Sequence, residues 1–425
     1  MTTITPPERA ERGPLAQTDR ERPTPGSPTP VPRRSRERLL SLDVFRGLTV
    51  AGMLLVNNPG TWNAIYPPFE HAPWHGWTPT DLIFPFFLFI VGITTHLSLT
   101  ERRARGDDDA ALMRQIVRRA ALIYAFGLAM SLFPFFTWRA VAGHPDPSML
   151  DRIVDRLDHV RIMGVLARIA VAYLVGALLA FRAPTKRVIV TLVVILYAYW
   201  FALTLLPVPG TGITGEIDVP SLTLQGWLDR LIIGQRHIWS GSVSYDPEGI
   251  LSSLGAIASV LCGVLAGRWI ATDRPLTDRL VGLFGAGAIA TVGALMWDWS
   301  LPINKNLWTS SYVLFTAGMG AMALATCMWV IEVLNVRRWT KPFLMFGMNP
   351  IVAFVGSGVM ARCIYTVFTA EYQGRRQAVQ SIIFQAGFAS WLPPRDASLL
   401  FAIVFVLFWL ALLSVLHSKK WFLKL

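Results

Sequence analysis

Two histidines and an aspartate stand just before and at the start of a long apolar segment. The stretch from Phe69 to Gly92 reads FEHAPWHGWTPTDLIFPFFLFIVG, and Asp81 follows His71 by ten residues. An imidazole that is positioned by a carboxylate can act as a general base near neutral pH. The pair therefore predicts acid–base chemistry with His71 as the base, and His75 is a weaker alternative. A solvated loop histidine beside a helix-capping aspartate is the structural interpretation of the same residues.

The segment that carries these residues has the signals of a helix start. Thr78 is a good N-cap, Pro79 suits the first helical position, and Asp81 falls in the first turn. The apolar run that follows is long enough to cross a bilayer. The sequence therefore predicts that an imidazole and a carboxylate are held at the mouth of a membrane helix.

Polar residues also mark both ends of the first apolar segment, and polar groups at membrane depth are functional candidates. Asp43 and Arg46 are three positions apart, so they can pair on one helix face. Asn57 and Asn58 close the segment, and a helix C-terminal cap is the structural alternative for them. We keep Asp43, Arg46 and Asn57 as site candidates.

A later apolar segment opens with two arginines, Arg161 and Arg168. Arg168 falls about two turns inside the helix, which is too deep for its guanidinium to reach the surface easily. An anionic substrate or cofactor would explain such a residue, and an internal salt bridge would explain it equally well. Asp246, before another apolar segment, is interpreted as a helix cap.

The remaining binding candidates are polar residues near the last apolar segments. They are Asn304, Lys305, Asn306, Trp308 and Asn349. A lysine between two asparagines is not readily explained as a cap. The sequence has no phosphate-binding loop, dinucleotide fingerprint, zinc pattern or nucleophile elbow, so no metal site is predicted.

The composition indicates an all-α polytopic membrane protein. Hydrophobic residues make up 53% of the 425 residues and charged residues only 16%, against about 25% in soluble domains. The mean hydropathy is +0.45. Long apolar runs without alternation favour helices over a barrel. The net charge of +12 is explained by basic loops on the cytoplasmic side, so no nucleic-acid partner is predicted.

We predict ten spans, with residues 1–37 as a disordered cytoplasmic tail and residues 38–425 as the transmembrane domain. Short basic loops alternate with longer, less basic ones, which predicts that both termini are cytoplasmic and that the His71 loop is on the outer face. The spans are expected at about 41–58, 79–100, 116–137, 161–181, 187–206, 248–270, 279–299, 307–333, 342–367 and 397–416.

Six sequence blocks occur in a familiar order from about residue 38 to the C-terminus. They are SLDVFRGLTVAGMLLVNN, FEHAPWHGWTPTDLIFPFFLFIVG, VRIMGVLARIAVAYL, YDPEGILSSLGAI, PINKNLWTSSYVLF and GMNPIVAFVG. In these blocks the chain resembles the heparan-alpha-glucosaminide N-acetyltransferase family of transmembrane acetyltransferases. The ordered set is far more specific than any single block.

The resemblance implies an acetyl-CoA-dependent acyltransferase. Acetyl-CoA would donate from the cytoplasmic side to an acceptor amine on the other side. The family histidine falls on His71, and its asparagine and aspartate fall on Asn57 and Asp81. His75 stands where familiar members have asparagine. The family makes a homodimer a reasonable expectation.

The chain is expected to be a bacterial-type member in the inner membrane, because it lacks the lumenal domain and the extra span of animal members. Its acceptor would then be an amine or hydroxyl of a sugar or amino sugar in the periplasm. A transporter or exporter of a small anionic or sugar solute is the alternative, although no repeated half is evident.

Overall fold

A computed structural model describes residues 39–137 and 140–423 of the chain. The tail predicted at residues 1–37 lies outside the described residues. The α-helices are α1 Leu40–Asn57, α2 Ile83–Ala104, α3 Asp109–Leu132, α4 Met149–Asp158, α5 Val165–Ala180, α6 Thr185–Leu205, α7 Leu224–Ile232, α8 Ser253–Ile270, α9 Leu276–Asp298, α10 Ser310–Met328, α11 Thr340–Met348, α12 Pro350–Arg362, α13 Val379–Phe384 and α14 Pro394–Ser418. The predicted all-α class is confirmed.

Each of the ten predicted spans coincides with a helix or a pair of helices. Among the described residues, eight helical segments are long and apolar enough to cross a membrane, so the prediction of ten is approximate. These are Leu40–Asn57, Pro79–Ala104, Thr185–Leu205, Ser253–Ile270, Leu276–Asp298, Ser310–Val333, Pro350–Val367 and Pro394–Ser418. The other two predicted spans correspond to α3, which carries Arg114, Arg118 and Arg119, and to α5, which has only 16 residues.

The ninth predicted span is broken in two. Helix α11 ends at Met348, and α12 begins at Pro350, with Asn349 between them. Proline has no backbone N–H to donate to the preceding turn and is well suited to the first position of a new helix, so the break follows from the sequence.

Close contacts between glycines hold α2 against α8. A Cβ on Gly92 would lie 2.1 Å from the carbonyl oxygen of Val260, and one on Gly263 would lie 2.0 Å from that of Phe89. Small residues let membrane helices pack backbone to backbone in this way. The two helices run parallel, because Gly267 further along α8 packs on Ile93 further along α2.

Helices α2, α5, α8 and α10 all begin at the end of the bundle that carries His71, which we call the histidine end. Arg168 of α5 donates to the carbonyl of Gly249 just before α8. Tyr312 of α10 donates its hydroxyl to the backbone carbonyl of Asp81 at 2.5 Å. The N-terminus of a helix carries a positive partial charge, so four such termini converge there.

The histidine end also has smaller elements that lie in predicted loops. The helices α4, α7 and α13 fall in the loops predicted at 138–160, 207–247 and 370–395. The antiparallel strands β1 Thr369–Tyr372 and β2 Arg375–Ala378 form a hairpin, in which Thr369 pairs with Ala378. These helices were not predicted, because they are much shorter than the run of apolar residues by which a membrane span is recognised.

Candidate functional site at the histidine end

His71 is hydrogen-bonded to a fully buried carboxylate. Its Nδ1 lies 2.7 Å from Asp81 Oδ1, while the His71 side chain is 46% exposed. An ionised carboxylate can only accept a hydrogen bond, so this contact requires a proton on Nδ1, which in a neutral imidazole leaves the lone pair on Nε2. The predicted pairing of His71 and Asp81 is thus present in the structure, with the basic nitrogen directed away from the carboxylate.

The second oxygen of Asp81 caps the helix start. The backbone N–H groups of Ala72 and Thr78 both donate to Oδ2 at 3.0 Å. Residues 79–82 form one 3₁₀ turn that leads into α2, with Thr78 as its N-cap. The capping role proposed as the structural alternative is therefore real, and the carboxylate performs it in addition to holding His71.

Lys305 completes this group. Its Nζ lies 3.3 Å from Asp81 Oδ1, 2.8 Å from His71 Nδ1 and 3.1 Å from His71 Nε2. Burial lowers the pKa of the Lys305 ammonium, and the charges of Asp81 and Glu248 oppose that effect. The ammonium therefore lies beside both ring nitrogens of His71 and is closer to Nδ1 than to Nε2.

The loop before α10 is built so that Lys305 faces His71. The Asn304 side chain accepts a hydrogen bond from the Leu307 N–H at 2.8 Å, and Gly76 N–H donates to the Ile303 carbonyl at 2.8 Å. Trp308 has a φ of 52°, which closes the turn. These bonds join the histidine loop to the lysine loop across the bundle.

His75 belongs to a second, more exposed pair. Its Nε2 lies 2.7 Å from Asp218 Oδ1, and its Nδ1 lies 3.3 Å from the side-chain nitrogen of Asn304. Asp218 is 78% exposed. His75 is therefore adjacent to the lysine loop, and no described hydrogen bond joins it to Asp81.

Arg161 is held by two carboxylates. Its Nε donates to Asp246 at 2.8 Å, and its Nη2 donates to both Asp246 and Glu248. The helix cap expected of Asp246 is not found, because α8 begins at Ser253; Asp246 instead accepts from the Glu248 N–H at 2.9 Å in the turn before the helix and pairs with Arg161. The charges of Glu248 and Lys305 also act on each other, so Arg161 and Lys305 belong to one charged network.

Arg168 is fully buried beside that network. It donates to the Ser252 hydroxyl and lies over the Trp308 ring, with its guanidinium carbon 5.0 Å from the ring centroid. Among the described residues, its Nε and Nη1 have no hydrogen-bond acceptor. The predicted polar interior is therefore present. In the described part of the chain no direct ion pair of Arg168 is seen, whereas Arg161 has two.

Two buried residues that are not among the predicted site residues are hydrogen-bonded to this network. Gln225 donates to the carbonyls of Asp246 and Asn306, at 3.0 and 3.1 Å. Asp229 accepts from the N–H groups of Asp246 and Ile250, and burial raises its pKa to about 6, against the effect of those N–H groups. Both residues are on α7, whose nine residues gave no clear signal.

The other predicted site residues lie elsewhere. Asp43 and Arg46 pair at 2.6 Å near the start of α1, and Arg46 also donates to the Gly347 carbonyl at 2.7 Å. Asn349 bonds to the C-terminal segment, donating to the Trp421 carbonyl and accepting from Leu423 N–H. These residues are at the end opposite His71.

Asn57 is exposed where α1 ends, at the histidine end. Among the described residues no hydrogen bond joins it to His71 or Asp81. The adjacent Asn58 is buried and donates to the Leu54 carbonyl at 2.8 Å. The helix-cap interpretation of this pair therefore applies to Asn58, whereas Asn57 is exposed.

This architecture is that of a polytopic integral membrane protein with an imidazole–carboxylate–ammonium group at one end of its bundle. Comparison with known sequences shows which membrane proteins the chain is similar to. Residues 38–215 match the sequence model described as "Heparan-alpha-glucosaminide N-acetyltransferase, catalytic". The first three of the six sequence blocks fall within this match.

Two curated relatives bear the same name. The chain is 29% identical to heparan-alpha-glucosaminide N-acetyltransferase of Mus musculus over 92% of its own length and 61% of the relative's. It is 31% identical to the Homo sapiens protein over 76% of its own length and 53% of the relative's. The chain is a relative of this family, as its sequence predicts, and it spans little more than half the length of these two proteins.

Proposed function

We propose that this protein is a membrane-embedded acetyltransferase. It moves an acetyl group from cytoplasmic acetyl-CoA to an amine or hydroxyl of a sugar-like acceptor on the periplasmic side of a bacterial inner membrane. The observation that carries the proposal is the His71–Asp81 pair at the histidine end, with the lone-pair nitrogen of His71 turned away from the carboxylate. The family name of its relatives supports the reaction class.

His71 is the proposed base. The acceptor gives its N–H or O–H proton to the Nε2 lone pair. The acceptor atom then bonds to the thioester carbonyl carbon, the C–S bond breaks, and the departing thiolate takes the proton from His71. In the second route, Nε2 bonds to the acetyl carbon while the C–S bond breaks and the thiolate departs. The acceptor atom then bonds to that carbon, the Nε2–C bond breaks, and the acceptor proton passes to the freed Nε2 and on to the thiolate.

Asp81 and Lys305 are proposed to support that step by charge. Asp81 stabilises the imidazolium that forms when Nε2 takes the proton, because its carboxylate lies 2.7 Å from Nδ1. The Lys305 ammonium remains 3.3 Å from Asp81 and keeps the buried carboxylate ionised before the proton arrives. Asn57, exposed at the end of α1, is the proposed donor to the oxyanion.

The donor is proposed to enter from the end opposite His71. Arg46 is the candidate cation there, and its guanidinium already binds Asp43 and the Gly347 carbonyl. Guanidinium groups suit phosphate recognition because they offer paired N–H donors. Arg161 and Arg168 are at the other end, so they are proposed to act on the acyl group or the acceptor side.

The test is acetyl transfer by purified protein with His71 replaced by alanine. His71→Ala is expected to abolish transfer while leaving expression and melting temperature unchanged, since the His71 side chain is half exposed. His75→Ala is the matched control and is expected to remain active. A fully active His71→Ala protein would rule out the assignment.

A ligand experiment separates the enzyme from a transporter. Acetyl-CoA is expected to raise the melting temperature of the detergent-purified protein, because a ligand that binds only the folded state stabilises it. If saturating acetyl-CoA gives no shift and a small anionic or sugar solute does, the transporter alternative is favoured.

A further inference from the structure

A cavity of about 150 Å³ lies between α3, α5 and α12, apart from His71. Met130 of α3, Val165 of α5 and Phe354 of α12 supply part of its apolar lining. Arg161 and Arg362 supply guanidinium groups. The cavity therefore combines an apolar wall with two cationic side chains.

The two arginines differ in how their charge is balanced. Arg161 is bonded to Asp246 and Glu248, as described above. Arg362 Nη1 is buried and, within residues 39–137 and 140–423, has no hydrogen-bond acceptor. Arg156, another cation, also acts on Arg362. A buried cationic donor without an acceptor is unfavourable, and an anion is the ligand that would satisfy it.

The surroundings of the cavity have the character of a lipid boundary. Helix α4 turns its polar side toward the protein, where Arg156 donates to the carbonyls of Leu132 and Phe133 at the end of α3. Its apolar side is exposed, with Leu150 at 68% and Val154 at 48%. An amphipathic helix with its apolar face outward, beside the end of a membrane helix, is suited to the apolar part of the bilayer interface.

We propose that this cavity binds the phosphate of an acidic phospholipid. Arg362 donates to the phosphate oxygens, Arg161 lies beside it with its guanidinium paired to Asp246 and Glu248, and an acyl chain lies against Met130 and Phe354. Basic pockets between membrane helices take lipid head groups by this combination of charge and apolar contact. A free phosphate ion would use the same arginines and would gain nothing from the apolar wall.

The test uses the full chain in a mild detergent, with three probes added separately: phosphatidylglycerol, phosphatidylcholine and inorganic phosphate. Phosphatidylglycerol is expected to raise the melting temperature and to remain bound in native mass spectra. Phosphatidylcholine and inorganic phosphate are expected to do neither. An equal rise with inorganic phosphate would overturn the lipid assignment, and equal retention of the two lipids would overturn the charge-based site.

Arg362→Gln is the variant that localises the effect. Losing one charged hydrogen bond is expected to weaken phosphatidylglycerol binding at least about tenfold. Arg376→Gln, in the exposed hairpin at the same end, is the matched control and is expected to bind as the unchanged chain does. Arg362→Lys keeps the charge, and its phosphatidylglycerol binding is measured instead if Arg362→Gln does not fold. Unchanged binding by both Arg362 variants would overturn the proposal.

Discussion

The Nζ atom of Lys305 lies 3.1 Å from Nε2 of His71, although 234 positions separate the two residues in the chain. The same Nζ lies 2.8 Å from Nδ1 of His71 and 3.3 Å from Oδ1 of Asp81, so one ammonium contacts both members of the pair. Its charge favours the ionised form of Asp81, which is the form that accepts the hydrogen bond of His71.

Replacement of Asp81 by asparagine is expected to slow acetyl transfer by at least about 100-fold, because the imidazole loses the carboxylate that fixes its tautomer and stabilises its charged form. The melting temperature should also fall, since the carboxylate accepts from Ala72 and Thr78. Transfer rates and melting curves check this. Asp218→Asn, beside His75, is the control, and a similar loss of rate there would contradict the special role of Asp81.

Replacement of Lys305 by glutamine removes the ammonium that lies 3.3 Å from Asp81 Oδ1. A hydrogen bond to a charged group contributes about 1.5–3 kcal/mol, so transfer should slow by about tenfold or more. Lys341→Gln, an exposed residue at the opposite end, should transfer at the original rate. Undiminished transfer by Lys305→Gln would show that the ammonium is dispensable.

The stability of the protein is expected to depend on pH through Asp229. Burial raises the pKa of Asp229 to about 6 in the folded state, above its usual 3.8. The folded protein then holds a proton that the unfolded chain has lost, so the free energy of unfolding falls as pH rises from about 4 to 6 and is level above that. The loss is about 3 kcal/mol at most.

Melting temperatures of the unchanged protein and of Asp229→Asn, measured between pH 4 and 7, check this dependence. The asparagine variant does not titrate, so the advantage of the unchanged protein should shrink as pH rises to 6. A constant difference over the whole range would mean that Asp229 does not titrate there.

Replacement of Gly263 by valine should disrupt the contact of α8 with α2, because even a Cβ would lie 2.0 Å from the Phe89 carbonyl. Overpacking of this kind costs about 1–3 kcal/mol. Transfer should fall as well, since α2 carries the start of the site. Gly285→Val on α9 is the control, because a Cβ there meets nothing within 4 Å. Equal melting temperatures for the two variants would contradict this account.

Most of the fold could be predicted because hydropathy is a local property. All ten predicted spans contain helix, and the break at Asn349 and Pro350 was visible in the sequence. Short helices such as α4 and α7 could not be found this way. Their apolar side chains cover one face only, over nine or ten residues.

The site was only partly predictable, for a related reason. His71 and Asp81 are close in sequence and belong to one capped helix start, so their pairing could be inferred from spacing. The contact of Lys305 with His71 depends on how α10 packs beside α2, and the sequence offers no signal of it. Arg362 was missed because one arginine near the end of an apolar segment is ordinarily explained by the membrane boundary.

Asp81 divides its two oxygens between different tasks. Oδ1 holds His71 and Lys305, and Oδ2 accepts the N–H groups that start the helix. A mutation that adjusts the basicity of the imidazole through this carboxylate would also loosen the first turn of α2. Substitutions that alter the site without weakening the start of α2 are therefore expected at residues around the His71–Asp81 pair. Asp218 is exposed there and His75 partly so, and among the described residues neither bonds to a helix start.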